Sequence, residues 1–427
     1  MRLPALLAFV CIVAAHLPAA PARVPDITVS TAENPADATY RVGEPVTFIV
    51  TVTEDGKPMI EGTLGWSLTK DGVPPMQHGT AVVKAGRATV TGRLDEPGFL
   101  QCKIKLDTSE GSARGVGAAA VEPLAIKPSL PVPGDFDAFW TVKKQALAAV
   151  PLNPRLTPAP NTVAGVELFD VQADALGDRP MSGYYARPKN AAPKSSPAIL
   201  ILEGAGVYGT RLELPRQWAA DGYLALEINA HGLPNGRPPE YYNALERDSL
   251  KNYQYAGRES RETSYFLNMY LRALRGADFL ASQPEWDGRV LVSYGASQGA
   301  AQAIFVAAND PRVSFLAAMV PAMCDHSGMV AGRVPGWPRL VPVPDGKPDL
   351  AILEASRYFD SVNFATRVRV PSFFVAGFID MITPPTSVYA AYNNLPGEKE
   401  IYPAIHSPHK IEPAIWEIVR RQVLLRK

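Results

Sequence analysis

From about residue 25 to residue 125 the chain is built of short runs rich in β-formers, broken by turn clusters. Pro45-Val46-Thr47-Phe48-Ile49-Val50-Thr51-Val52-Thr53 predicts a strand, and Glu54-Asp55-Gly56-Lys57 supplies a hairpin turn after it. Residues 63–68, 80–83, 88–90 and 100–106 predict further strands, with turns such as Lys70-Asp71-Gly72 between them. Short strands at this spacing imply an immunoglobulin-like β-sandwich over residues 23–126. No polar constellation gathers there, and Trp66 is read as a core side chain ahead of a platform for sugar stacking.

The pattern changes at Lys127-Pro128-Ser129-Leu130-Pro131-Val132-Pro133-Gly134, whose prolines predict a stiff linker. Residues 135–150 then show helical spacing, with Phe136, Phe139 and Trp140 on one side. Beyond them, apolar strands and amphipathic helices alternate, which predicts an α/β domain over 135–427 with a doubly wound sheet. Residues 197–202, 224–228, 290–292, 314–320 and 372–375 are its expected strands. Phe266, Met269, Tyr270, Ala273, Leu274, Ala277 and Leu280 mark a helix over 263–282 that stops before Pro284. Residues 324–369 interrupt the strand series and are expected to form a cap or lid.

Candidate chemistry gathers at Val290-Leu291-Val292-Ser293-Tyr294-Gly295-Ala296-Ser297-Gln298-Gly299-Ala300-Ala301, a strand, a Gly-x-Ser-x-Gly turn and a small-residue helix start. A serine on such a turn is strained and exposed above the carboxyl edge of a sheet, with glycines where side chains would collide with neighbouring backbone. The Gln298 amide, at the helix N-terminus, faces the place where an oxyanion would develop. A serine hydroxyl is a poor nucleophile near neutral pH, so it needs a histidine to take its proton and a carboxylate to orient that histidine. Asp380 ends an apolar strand and precedes Met381-Ile382-Thr383-Pro384-Pro385, which opens a helix through Val388, Tyr389 and Tyr392. It can serve as that carboxylate, as a cap for its own turn, or as both. Two histidines, His406 and His409, follow the strand Glu400-Ile401-Tyr402, and spacing alone does not choose between them. His231 follows an earlier strand and is placed at the site mouth, while His78 and His326 fall outside the Ser, Asp, His order. Glycine-rich Leu202-Glu203-Gly204-Ala205-Gly206-Val207-Tyr208-Gly209 predicts a second oxyanion donor, the Ala205 amide, with Gly206 the alternative. No His, Cys and carboxylate grouping has metal-ligand spacing, and no cofactor is implied.

Charge narrows the partners. Lys+Arg and Asp+Glu balance at 42 each over 427 residues, without a long single-sign block, which argues against nucleic acid or an anionic membrane surface. Met1-Arg2, the apolar stretch 3–15 and Ala20-Pro21-Ala22 predict an export signal over residues 1–22, with an apolar run too short for a membrane anchor. A periplasmic or extracellular location is therefore expected. After cleavage Cys102 and Cys324 remain, one in each domain, so no disulfide is implied.

Roughly residues 130–427 resemble the acetyl xylan esterase and cephalosporin-C deacetylase family, carbohydrate esterase family seven, within the α/β-hydrolases. The resemblance rests on Asp135-Phe136-Asp137-Ala138-Phe139-Trp140, Gly295-Ala296-Ser297-Gln298-Gly299, Asp310-Pro311-Arg312-Val313 and Tyr358-Phe359-Asp360, and on Asp380-x-x-x-Pro384-Pro385 within 377–393. It implies a serine esterase acting on acetylated sugars such as xylan or xylo-oligosaccharides. Ser297 is then the nucleophile and Asp380 the orienting acid. His409 becomes the base, because Tyr402, His409 and Pro413 match the family spacing and His406 would require a deletion. Tyr208, His231 and Trp337 are the candidate substrate contacts, His231 by its place after a strand and Trp337 by its place in the expected cap, where it would close over a small acyl group. Where the family reads His-Gly-Tyr this chain has Glu203-Gly204-Ala205, a departure that bears on acyl or sugar preference. The family's oligomeric ring makes a homo-oligomer a candidate assembly, one that the N-terminal β domain either blocks or leaves for positioning a polymer. Two other classes share features with the chain. A prolyl-oligopeptidase-type peptidase uses the same residue order but carries a large β-propeller, for which about a hundred N-terminal residues are too few. A non-catalytic carbohydrate-binding protein on a hydrolase scaffold is disfavoured by the intact Ser297, Asp380 and His409.

Overall fold

The computed structural model describes residues 24–427 except 35 and 73, so the expected export signal lies outside the described residues. The N-terminal unit holds β1 (Asp26–Thr31), β2 (Thr39–Tyr40), β3 (Val46–Glu54), β4 (Lys57–Pro58), β5 (Glu61–Lys70), β6 (Pro75–Lys84), β7 (Arg87–Gly92), β8 (Gly98–Thr108) and β9 (Gly111–Val121). Alternation sets the inward faces: Val46, Phe48, Val50 and Val52 of β3 are buried, and the residues between them are half-buried. The strand order is β1-β3-β7-β6-β5-β8-β9-β2, with β4 beside β3. β6 and β7 join through the single pair Lys84 and Arg87, and β1 lies against β9. The sheet thus folds over a core that includes Val29, Phe48, Leu68, Leu100 and Val121, against which Trp66 packs partly buried. β1 and β9 were not among the strands expected from the sequence.

The second unit adds β10 (Arg155–Pro158), β11 (Val166–Ala173), β12 (Met181–Pro188), β13 (Ser196–Leu202), β14 (Leu224–Ile228), β15 (Trp286–Ala296), β16 (Phe315–Met319), β17 (Ser372–Gly377) and β18 (Lys399–Ala404). Their order is β10-β11-β12-β14-β13-β15-β16-β17-β18. The first three run antiparallel, and from β14 to β18 every pairing is parallel. β14, β16 and β17 are buried at every residue, which explains why they read as unbroken apolar runs. One face carries α1 (Phe136–Ala148), α4 (Tyr265–Ala281), α5 (Gln298–Asn309), α7 (Ser361–Ala365) and α8 (Pro385–Asn393). The other carries α2 (Glu213–Ala220) and α9 (Pro413–Leu424) through Trp218, Ile415, Val419 and Val423, while α3 (Pro239–Arg247) lies in the crossover from β14 to β15. This is the doubly wound α/β-hydrolase arrangement.

The segment 324–369, expected to form a cap, lies in the crossover from β16 to β17, where α6 (Leu350–Ser356) and α7 bring Ile352, Leu353 and Phe364 into the main core and Phe359 joins them from the turn between the two helices. Val330, Val343 and Leu350 of the same segment stay exposed. Among the described residues no helix is long and apolar enough to cross a membrane.

Candidate active site

Ser297 stands between β15 and α5 at φ 56° and ψ −123°, a sparsely populated positive-φ conformation that costs a non-glycine residue about 1–3 kcal/mol. The surrounding backbone holds it there. Its N–H donates to Met319 O at 2.9 Å, and its carbonyl accepts from Ala300, Ala301 and Ala322. A side chain on Gly295 would overlap the Gly299 backbone, and one on Gly299 would overlap the Leu202 carbonyl. Both motif glycines are therefore set by close packing between strand and helix.

Two later segments meet this turn. Asp380 follows β17 and is fully buried. Its Oδ1 accepts from the Ile382 and Thr383 amides at 2.8 and 2.9 Å, and its Oδ2 accepts from the Thr383 hydroxyl at 2.7 Å. The same Oδ2 lies 2.7 Å from His409 Nδ1, and His409 Nε2 lies 2.9 Å from Ser297 Oγ. The carboxylate therefore caps its own turn and orients the imidazole at once. His406 is exposed, so the length of the loop after β18 decides between the two histidines left open by spacing. Thr383 was not singled out from the sequence; the Asp-x-x-Thr spacing of a capped turn was the signal available.

On the opposite side lies the loop after β13. Ala205 is exposed, while the Gly206 N–H points to the Tyr253 hydroxyl at 3.4 Å. The Gln298 amide, first in α5, has no intrahelical acceptor because of its position. A buried network supports both. Tyr253 donates to Gln298 Oε1 at 2.7 Å, Gln298 Nε2 to Gly204 O at 3.3 Å, and Gln302 Nε2 to Glu203 O at 3.1 Å.

His231 is corrected from a residue at the site mouth to a buried support of this loop. It is 1% exposed, with Nε2 2.9 Å from Gly206 O and Nδ1 2.7 Å from the Tyr265 hydroxyl. Burial, with Arg272 and Arg179 nearby, lowers its pKa to about 4. The neutral ring therefore donates from Nε2 and accepts at Nδ1, leaving no atom for substrate. Tyr208 is half-buried, its hydroxyl donating to Gly204 O at 3.2 Å, and it lines a side cavity of about 360 Å³ with Val207 and Tyr242. Trp337 is half-buried beside the acid turn, its backbone N–H donating to Ile382 O at 3.0 Å. Glu203 lies beneath the loop, 3% exposed, and desolvation with the Glu227 charge pushes its carboxyl well above the usual range. A larger cleft of about 1280 Å³ runs between Tyr40, Glu122, Tyr389 and Ile401, and none of Ser297, Asp380 or His409 lines it.

The family model described as acetyl xylan esterase (AXE1) matches residues 124–414. An acetyl esterase, Axe7A of Xylanibacter ruminicola, is 28% identical over 375 residues, 87% of this chain and 84% of that protein. The solved acetyl xylan esterase from Paenibacillus sp. R4 superposes with a TM-score of 0.62 at 25% identity, over 72% of this chain and 99% of that one. Acetyl xylan esterase 1 from Thermoanaerobacterium sp. JW/SL YS485 shares the fold, with a TM-score of 0.62 at 19% identity over 71% of this chain and 97% of that one.

Proposed function

This chain belongs to the acetyl xylan esterase family and is a carboxylic ester hydrolase with acetyl esterase function; on that premise we propose that it deacetylates xylan or xylo-oligosaccharides outside the cytoplasm. The observation that carries the mechanism is the hydrogen-bonded series Ser297 Oγ, His409 Nε2, His409 Nδ1 and Asp380 Oδ2, spaced at 2.9 and 2.7 Å. Ser297 Oγ attacks the acetyl carbonyl as His409 Nε2 takes the hydroxyl proton, and Asp380 holds the resulting imidazolium. The amides of Gln298 and Ala205 receive the oxyanion. Collapse of the tetrahedral intermediate passes the proton to the leaving sugar oxygen and leaves Ser297 acetylated. Water then attacks with His409 again as base, releasing acetate. Trp337 and Tyr208 face the sugar in this reading. Residues 1–22 act as an export signal, and the N-terminal unit is an immunoglobulin-like sandwich.

The test is acetate release from acetylated xylan and xylo-oligosaccharides, with Ser297→Ala and His409→Ala alongside. Release by the wild type that is lost in both variants is expected. Turnover of a small activated acetate without release from either xylan substrate would remove xylan from the proposal and keep the triad.

A further inference from the structure

The family match begins at residue 124, just past β9, so the N-terminal β unit lies outside it. That unit nevertheless reaches the turn that carries Asp380. Phe99 of β8 packs against Phe378 and Tyr389, with ring centroids 4.9 and 5.3 Å apart. Gln101 Nε2 donates to Phe378 O at 3.2 Å across 277 residues of sequence. Asp71, in the turn between β5 and β6, accepts from the Thr386 hydroxyl. The neighbouring Gly72 lies so close to Met381 that a side chain there would collide with the Met381 thioether. Phe99, Gln101, Asp71 and Thr386 are all fully buried.

These contacts grip the turn at Phe378 on one flank and Thr386 on the other. Between the flanks lie Ile382 and Thr383, whose amides hold Asp380 Oδ1. An irregular turn keeps two amides aimed at one oxygen only if its ends are fixed, and small misplacements near reacting groups are costly. Building on the esterase reading above, we infer that the N-terminal β unit braces the Asp380 turn, with Asp71 and Gln101 as positioning residues, rather than serving as an appended substrate-binding module.

The test compares Asp71→Ala, Gln101→Ala and the conservative Asp71→Asn in the full chain. Hydrogen exchange at the Ile382 and Thr383 amides is followed together with kcat and KM on a small soluble acetate ester. The two alanine variants are expected to speed exchange at both amides about 10-fold. They should also lower kcat with KM unchanged, because the imidazolium loses part of its carboxylate partner. Asp71→Asn, which keeps an acceptor for Thr386, should restore both. Variants that melt earlier yet keep wild-type exchange and kcat would overturn the brace. So would a rise in KM confined to polymeric xylan with exchange unchanged. If the wild type cleaves no acetate ester, it is the esterase reading that fails, and exchange at the two amides still decides the brace.

Discussion

Replacing His231 by phenylalanine tests how the oxyanion loop is held. The ring shape and its edge contact with Tyr253, at 4.5 Å between centroids, are kept, while the bonds to Gly206 O and the Tyr265 hydroxyl are removed. The half-buried Gly206 carbonyl and Tyr265 hydroxyl then lose their His231 partner, at up to about 1–3 kcal/mol each. Gly206 adjoins Ala205, so the loop loses definition where the oxyanion amide is proposed. Loss of kcat by about 10- to 100-fold is expected, with KM little changed. A second readout follows from charge. His231 has its pKa lowered to about 4 in the folded state, from 6.5. The unfolded chain therefore binds the extra proton between these values, and His231 costs the wild type stability as pH falls through that window. The full difference is about 3 kcal/mol, of which about 2 kcal/mol is reached by pH 5. Since the phenylalanine variant lacks this proton site, its deficit against wild type should narrow on going from pH 7.5 to pH 5. Thermal melts at the two pH values and initial rates on a small acetate ester measure both effects. A deficit independent of pH, or an unchanged kcat, would refute a neutral, load-carrying His231.

Asp380→Asn puts an amide where the carboxylate accepts from His409 and from the Thr383 hydroxyl, and should lower kcat by about 10³- to 10⁴-fold; initial rates check this. Gly299→Ala forces a methyl into the Leu202 carbonyl, so little soluble, active protein is expected from expression and melting trials, whereas an active, stable variant would contradict the close packing of β13 on α5. Cys102 and Cys324 are buried free thiols, and burial pushes the Cys102 thiol up to about 12, so both should take up thiol reagent only slowly in the native protein, and the melting temperature should not change with added reductant.

What the sequence by itself determined is local. An unbroken apolar strand, a tight turn and a small-residue helix are written in consecutive residues, and so were the β15–Ser297–α5 elbow and most central strands of the second sheet. The inward alternation of β3 was equally readable, because a two-residue period needs no partner to be seen. β10 to β12 went unpredicted: their antiparallel hairpins mix polar and aromatic residues, and only pairing with β14 identifies them as one end of the sheet. The fate of residues 324–369 was likewise tertiary, since the apolar residues of a crossover and of a lid look alike until the core that receives them is known.

The side of a histidine is also a tertiary matter. His406 and His409 differ by three positions, and only the path of the chain after β18 turns one toward Ser297 and the other to solvent. His231 follows a strand end as a mouth residue would, yet α4 and the segment holding Tyr253 close over it. Most distant of all is the docking of the β unit on the acid turn. Asp71 and Thr386 stand 315 residues apart, and nothing in the local pattern of either predicts that they share a buried hydrogen bond. Local propensity acts over one or two turns of chain, whereas burial and long-range hydrogen bonding depend on which surfaces the completed fold brings together.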